Sequence, residues 1–293
     1  MSAAAWLRAA RLPAQSNIAV PLCLGLALAN AQGSRPSLGT IALVLAFGLF
    51  DQLYIVFAND AADHETDAKN QTFTPFSGGS RVTARGELSP AQLLRAAKTS
   101  AALAVLVSLA LCASTASAWP LLLSCIGLGL LYAYSFGPRL SYKGFGEVLQ
   151  VAGTGCVLPL YGFVAAKGTL AGFPLSVWCC VLPLRLACAL ATALPDEPSD
   201  RSSDKRTLVV LLGGQKSGVL MFLLSLASLS LLHTVGRAPF VLGIDAPVAG
   251  LAAVQLLLIG KGPGTAGMLP RVASQIAATL VFEIALAVWV QRP

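Results

Sequence analysis

Residues 38-LGTIALVLAFGLFDQLYIVFANDAADHETD-67 begin as an apolar run long enough to cross a bilayer and end in a burst of carboxylates. Positions 38–58 carry a single charged side chain, Asp51. A spanning helix needs about 20 mainly apolar residues at 1.5 Å rise each. Eight more stretches meet that description: 17–34, 99–116, 118–136, 147–166, 172–192, 218–235, 239–258 and 272–290. The first is the most polar, and Pro21 interrupts it. Backbone groups in lipid must pair within their own segment, and no strand-like alternation competes. The reading is an all-α polytopic membrane protein with nine transmembrane helices, forming one domain over residues 1–293.

Composition agrees. Of the 293 residues, 56% are hydrophobic and only 11% charged, against roughly a quarter charged in a soluble domain. So few charges cannot cover a water-exposed surface, but they suffice if most of the surface faces a lipid bilayer. The net charge of +7 therefore implies no nucleic acid. With the N-terminus inside, the cytoplasmic segments hold Arg8, Arg11, Lys69, Arg81, Arg85, Arg95, Lys98, Arg139, Lys143, Arg201, Lys205, Arg206, Lys216, Lys261 and Arg271. The opposite side holds Arg35, Lys167, Arg237 and Arg292. This bias is what the positive-inside rule requires, and it favours nine spans over eight or ten. A plasma membrane with a cytoplasmic N-terminus fits it.

The seven cysteines have no paired ligand spacing and read as small apolar side chains in helix packing. The first thirteen residues, with Trp6, Leu7 and Leu12 beside Arg8 and Arg11, can form a short interfacial helix. They lack the long apolar run and cleavage site of a removed signal peptide.

Of the 13 acidic residues, eight fall in two windows that end apolar spans: Asp60, Asp63, Glu65 and Asp67, then Asp196, Glu197, Asp200 and Asp204. Stacked like charges are costly unless cations or a charged ligand offset them. In 59-NDAADHETD-67, a helix continued from the span puts Asp60, Asp63 and Asp67 on one face, and Asn59 adds a neutral oxygen one turn before Asp63. In 196-DEPSD-200, Asp196 and Asp200 can also share a face, with Pro198 either kinking or starting a helix. Two carboxylate faces at one membrane rim suit magnesium, a hard ion served by oxygen ligands and usually completed by substrate phosphate. Neither window has the glycine and glutamate positions of a twelve-residue calcium loop.

Cations surround these carboxylates. The run 75-PFSGGSRV-82 supplies a Gly78–Gly79 turn and Arg81; 204-DKRTLVVLLGG-214 supplies Lys205 and Arg206; 134-YSFGPRLSYKGFGE-147 supplies Tyr134, Arg139, Tyr142 and Lys143. Such groups can neutralise the oxygens of a metal-held diphosphate, or anchor anionic lipid headgroups. Deeper in the bilayer, Asp51 lies before Asp60 by roughly 13 Å of helix and Arg185 before Asp196 by roughly 16 Å. The matched depths predict an Asp51–Arg185 pair, or at least one polar cavity lined by both, with Arg185 able instead to bind an acceptor carboxylate. Glu147 opens the fifth span as a rim residue, and Glu283, in the last span, is assigned no role.

A metal-bound diphosphate above an apolar helical bundle describes an isoprenyl diphosphate with its tail in lipid-like surroundings. Magnesium and basic groups would stabilise charge building on the diphosphate as its carbon–oxygen bond breaks. An electron-rich acceptor would then attack the allylic cation, with helix walls excluding water.

The paired motifs are similar to those of the UbiA-type superfamily of intramembrane aromatic prenyltransferases. Asn59, Asp63 and Asp67 fit its NxxxDxxxD motif, Asp196 and Asp200 fit its DxxxD motif, and 205-KRTLVVLLG-213 resembles the segment that follows. The run 132-YAYSFGPRLSYKGFGEV-148 resembles the branch that attaches a polyprenyl chain to 1,4-dihydroxy-2-naphthoate in menaquinone synthesis. The resemblance implies a nine-helix bundle around a central cavity, with magnesium ions and a polyprenyl diphosphate held between the motifs. It implies that Asn59, Asp63, Asp67, Asp196 and Asp200 ligate the metal and that Lys143 contacts the diphosphate, with Tyr134 facing the same cavity. The chain departs from that branch at Thr192, Ala193, Leu194 and Pro195, where asparagines are common, and at Pro198. Three functions stay open: prenyl transfer to a dihydroxynaphthoate-like aromatic acceptor, the same donor chemistry on 4-hydroxybenzoate, a tetrapyrrole or a glycerol phosphate lipid, and cation-coupled transport.

Overall fold

The computed structural model describes residues 2–234 and 242–291. Positions 235–241, with Arg237 and the start of the eighth predicted span, lie outside the described residues, as do Met1, Arg292 and Pro293. The described chain is helical, with one isolated bridge between Thr74 and Ser77. The helices are α1 (Ala3–Ala9), α2 (Ser16–Ala31), α3 (Leu38–Ala62), α4 (His64–Lys69), α5 (Pro90–Thr115), α6 (Trp119–Ser135) and α7 (Gly146–Val151). They continue as α8 (Leu158–Lys167), α9 (Ser176–Ala193), α10 (Glu197–Ser202), α11 (Leu208–Leu212), α12 (Gly214–Thr234), α13 (Leu242–Leu257) and α14 (Met268–Trp289).

Among the described residues, seven helical stretches are long and apolar enough to cross a membrane, and the protein is an integral multi-pass membrane protein. Two predicted spans correspond to shorter apolar helices, Trp119–Ser135 and Asp245–Leu257. At 17 residues, α6 is about 26 Å long, a little under the roughly 30 Å hydrocarbon core. The third span begins earlier than its apolar pattern indicated. Ser89 and Gln92 form a reciprocal capping box and Pro90 occupies the first turn, so the helix starts where its orphan amides are satisfied. Arg271 is likewise inside α14 and only 1% exposed. Its guanidinium donates to the carbonyl oxygens of Lys261 at 2.8 Å and Gly214 at 3.2 Å.

Two devices set how the helices meet. First, α2 crosses α8 at backbone contact. A Cβ on Gly25 would strike the Pro159 carbonyl, and one on Gly162 would strike that of Leu22. Small residues at such crossings let backbones approach where lipid supplies no hydrophobic drive. Second, Arg185 on α9 donates to Glu283 on α14 through Nε at 2.5 Å and also through NH2. These side chains are 3% and 0% exposed. The expected Asp51–Arg185 pair is therefore corrected. Glu283 projects from a helix packed directly on α9, and its two oxygens satisfy the guanidinium fork. The sequence order of the helices does not reveal which pair of helices will be neighbours.

Between α7 and α8 the helix widens into a π turn over Ala152–Val157. Wide turns of this kind often mark functional sites. Here the turn packs closely on α9, where a Cβ on Gly155 would lie 2.7 Å from Leu182 Cδ2.

Replacing Glu283 with Ala leaves the Arg185 charge buried and unpaired, which costs about 3–5 kcal/mol. The expected result is a clearly lowered melting temperature in detergent, with much of the loss recovered in the Glu283→Ala, Arg185→Leu double variant. Equal melting of Glu283→Ala and the parent would remove this pair from the framework.

Candidate active site

The first motif does not ride one continuous helix. Helix α3 ends at Ala62, Asp63 closes it with φ −97° and ψ 13°, and α4 begins at His64. The helix expected to continue through the motif is thus interrupted at Asp63, although the Asp63 and Asp67 amides still donate to the Asn59 and Asp63 carbonyls at 2.8 Å, and the carboxylates meet different partners. Asp60 accepts from the Arg11 guanidinium and from the Ser80 hydroxyl, with the Ser80 amide at 3.1 Å. Asp63 accepts from the Tyr142 hydroxyl at 3.0 Å and from Lys205 Nζ at 3.1 Å. Asp67 makes no side-chain ion pair among the described residues and faces Gly79, where a Cβ would strike its carboxylate. Gly79 also has φ +72°, a conformation that glycine adopts without strain. Asn59, on the last turns of α3, accepts from Ser135 at 3.3 Å.

The second motif starts a helix at its proline. Leu194–Asp196 form a tight turn, and Pro198 lies in the first turn of α10, where its missing amide costs nothing. Asp196 then reaches the first motif's loop, accepting from Asn70 Nδ2 at 2.8 Å and the Gly78 amide at 3.1 Å. The Thr72 hydroxyl donates to the Pro195 carbonyl at 2.5 Å. Asp200 faces Lys205 at 3.7 Å. The turn after α10 brings the lysine back, with the Lys205 amide donating to the Asp200 carbonyl at 2.9 Å.

Lys205 therefore lies between Asp63 of the first motif and Asp200 of the second. Burial disfavours its charge, but Tyr134, Asp63 and Asp200 hold its pKa well above the usual lysine value. Asp67 is displaced in the direction that disfavours its charge: burial, together with the charges of Asp60, Asp63 and Asp196, pushes it up to about 7 against the opposing pull of Arg11. Carboxylates from both motifs thus converge closely enough to perturb one another. Among the described residues, no three acidic, histidine or cysteine side chains form a closed cage for an ion. The arrangement offers separate oxygens around a gap, as suits an ion completed by phosphate and water.

Beneath the motifs lies a cavity of about 270 Å³. Arg11, Asn59 and Tyr134 line it, as do Asp51 and Arg185. The shared-cavity expectation for Asp51 and Arg185 is therefore met, although they do not pair. Tyr134 accepts from Gln150 at 3.3 Å. The remaining predicted basic residues divide. Arg81, at φ 65°, donates to the Asp67 carbonyl and lies over the Phe73 ring at 4.8 Å. Arg139 is exposed and stacks on the Tyr142 ring at 4.0 Å. Lys143 is exposed and forms no ion pair among the described residues; the lysine between the motifs is Lys205.

Sequence reasoning passed over Arg11, Asn70 and Gln150. Arg11 reads as one more positive-inside cation, yet α1 folds back along α3, with Trp6 edge-on to Phe57 at 5.7 Å, and φ 42° turns the arginine inward. Asn70 carries no signal in the sequence, since its role depends on a loop crossing to the second motif.

Known proteins resemble this chain in sequence and in fold. A family model described as the UbiA prenyltransferase family matches residues 18–267. The chain is 30% identical to the 1,4-dihydroxy-2-naphthoate octaprenyltransferase of Mycobacterium tuberculosis, over 98% of this chain and 96% of that protein. It is 28% identical to the enzyme of the same name from Bacillus subtilis, over 66% of this chain and 61% of that one. The fold matches the structure of a UbiA homologue from Archaeoglobus fulgidus bound to DMAPP and Mg2+, with a TM-score of 0.68, 17% identity and 98% of each chain covered. With the two motifs bridged by Lys205 and the family model matching residues 18–267, the chain belongs to the UbiA prenyltransferase family.

Proposed function

We propose that this protein transfers a polyprenyl group from a polyprenyl diphosphate to an aromatic acceptor, 1,4-dihydroxy-2-naphthoate or a close relative, and releases diphosphate. The observation that carries the reading is the convergence of both aspartate motifs, bridged by Lys205, over the mouth of a mixed polar and apolar cavity. The printed names of the two curated relatives support the acceptor class. In this reading nine helices span the membrane, the two shorter apolar ones included, and the motifs face the cytoplasm.

Asn59, Asp63, Asp67, Asp196 and Asp200 would hold the magnesium, which supplies charge neutralisation on the diphosphate as it leaves. The allylic carbon–oxygen bond breaks and its electron pair departs with the diphosphate. A carbon–carbon bond then forms to the acceptor ring, and the group already on that carbon, a proton or a carboxylate lost as CO2, leaves its bonding pair behind to restore the aromatic ring. Lys205, paired with Asp63, is placed to turn to phosphate oxygens once metal satisfies that carboxylate, and Arg11, held by Asp60, adds a second cation beside them. Asp196 also positions a loop, because its bonds to Asn70 and Gly78 hold residues 70–80 against the second motif. Arg81 supports that loop through the Asp67 carbonyl. Tyr142, with Arg139 stacked on it, orients Asp63. The cavity below excludes water from the cation.

Isolated membranes given a labelled polyprenyl diphosphate and a panel of acceptors are expected to form lipid-phase product with dihydroxynaphthoate, only when magnesium is present. Product with 4-hydroxybenzoate or glycerol phosphate lipids instead would reassign the acceptor. No product with any acceptor would overturn the reading. Asp63→Ala and Asp200→Ala should each lower turnover by about 100-fold or more, equivalent to roughly 3 kcal/mol of lost transition-state stabilisation, while both proteins still insert.

Asp67 supplies a pH test. Its pKa in the metal-free fold, about 7, stands above the ordinary 3.8. A raised carboxyl pKa means that ionisation weakens the metal-free fold as pH climbs through that interval. A bound divalent ion favours the ionised form and has no proton to displace above pH 7. The rise in melting temperature on adding magnesium should therefore be larger at pH 8 than at pH 6, and an equal or smaller rise at pH 8 would contradict this placement.

A further inference from the structure

We propose that Asp51 anchors a hydroxyl group of the acceptor, so that the cavity selects a phenol or hydroquinone through its O–H rather than through a carboxylate. The proposal rests on the prenyl-transfer reading and specifies the acceptor end of the same site. Asp51 is only 6% exposed, lines the cavity, and makes no hydrogen bond or ion pair among the described residues. A buried carboxylate without a partner is expensive. Nearby on the cavity wall, Asn17 has a buried Oδ1 that also lacks a hydrogen-bond partner. Arg11 Nε, the other unmet group on the cavity wall, lies at the motif end where its guanidinium holds Asp60, while the unmet groups of Asp51 and Asn17 are acceptors, so what the deep end lacks is a donor.

The deep cation that would welcome a carboxylate is already committed. Arg185 donates twice to Glu283, and its remaining NH1 points to the Asn17 carbonyl at 3.4 Å. An anionic group at this depth would meet the Asp51 carboxylate with no free cation to offset it. A prenyl tail offers no hydrogen to donate. A ring hydroxyl answers the demand, since a carboxylate accepting from O–H makes one of the stronger protein hydrogen bonds.

Depth also fits. Asp51, Ile55 and Asn59 follow one another at four-residue spacing on α3, and all three line the cavity. Asp51 therefore lies about 12 Å along the helix from Asn59. That distance, less the reach of the two side chains, takes one aromatic nucleus with a hydroxyl at its deep edge and its reactive carbon toward the motifs. The reacting carbon then lies beneath the diphosphate, where the allylic cation forms.

The test compares matched acceptors, one with a free ring hydroxyl and one with that hydroxyl O-methylated, at fixed labelled donor. The wild-type protein is expected to prefer the free hydroxyl by about 10-fold or more in kcat/KM, the scale of one hydrogen bond to a charged group. In Asp51→Leu the acceptor KM should rise by a similar factor and the preference should vanish, with the donor KM within about twofold. A wild-type protein that uses both acceptors equally would overturn the proposal, and this comparison needs no variant to fold. An Asp51→Leu protein that melts like the parent and keeps both the acceptor KM and the preference would overturn it too. If the wild-type protein transfers to no aromatic acceptor, the prenyl-transfer reading fails along with this one. Transfer without discrimination at the hydroxyl defeats this inference alone.

Discussion

The repulsion among carboxylates at one end of an apolar bundle is the constraint around which this structure is arranged. Asp60, Asp63, Asp67, Asp196 and Asp200 come together from two segments far apart in sequence, and each would destabilise its neighbours if left alone. In the metal-free fold the offset is internal. Arg11 neutralises Asp60, Lys205 lies between Asp63 and Asp200, and Asp196 is satisfied by Asn70 and the Gly78 amide. Asp67 has no ion-pair partner among the described residues, and burial first, then the charges of Asp60, Asp63 and Asp196, raise its pKa. A ligand carrying cations and phosphate would exchange these internal offsets for external ones, which links substrate binding to the ordering of the loops that supply them.

The apolar frame must hold these loops without much help from the hydrophobic effect, since lipid tails are as apolar as the side chains that meet them. Close backbone contact between α2 and α8 at Gly25 and Gly162 is one answer. Another is polar contact in the interior. Arg185 and Glu283 tie α9 to α14, and Ser108 bonds Tyr161 at 2.8 Å while Tyr161 stacks on Phe47 at 3.7 Å. The π turn at Ala152–Val157 contributes Gly153, Thr154 and Val157 to the cavity wall. Framework and cavity share residues: Arg185 lines the cavity while bonded to Glu283, and Asp51, on the same wall, has no ion-pair partner among the described residues.

The two motifs play different parts although they carry the same residue type. Around the break at Asp63, Asp60 meets Arg11 while Asp63 meets Lys205 and Tyr142, whereas Asp196 and Asp200 divide between clamping a loop and holding a lysine. Pro198 starts α10 and so sets the direction in which Asp200 points.

Much of this was legible from the chain alone. The apolar run lengths dictate helices, because no other backbone arrangement satisfies its hydrogen bonds in lipid. The two acidic windows single themselves out in a chain so poor in charge, and their spacing points to oxygen-bound metal and diphosphate. The tertiary structure decided the pairings. Sequence depth alone matched Asp51 to Arg185, but depth does not say which helices are neighbours, and α14 brought Glu283 to that arginine instead. Likewise, residue type could not separate Lys143 from Lys205, since both follow predicted membrane helices, and only the turn after α10 carries one of them back between the motifs. The aspartates announce themselves locally because charge is costly wherever it occurs in such a chain; their partners do not, because a partner is defined by what the fold brings beside it.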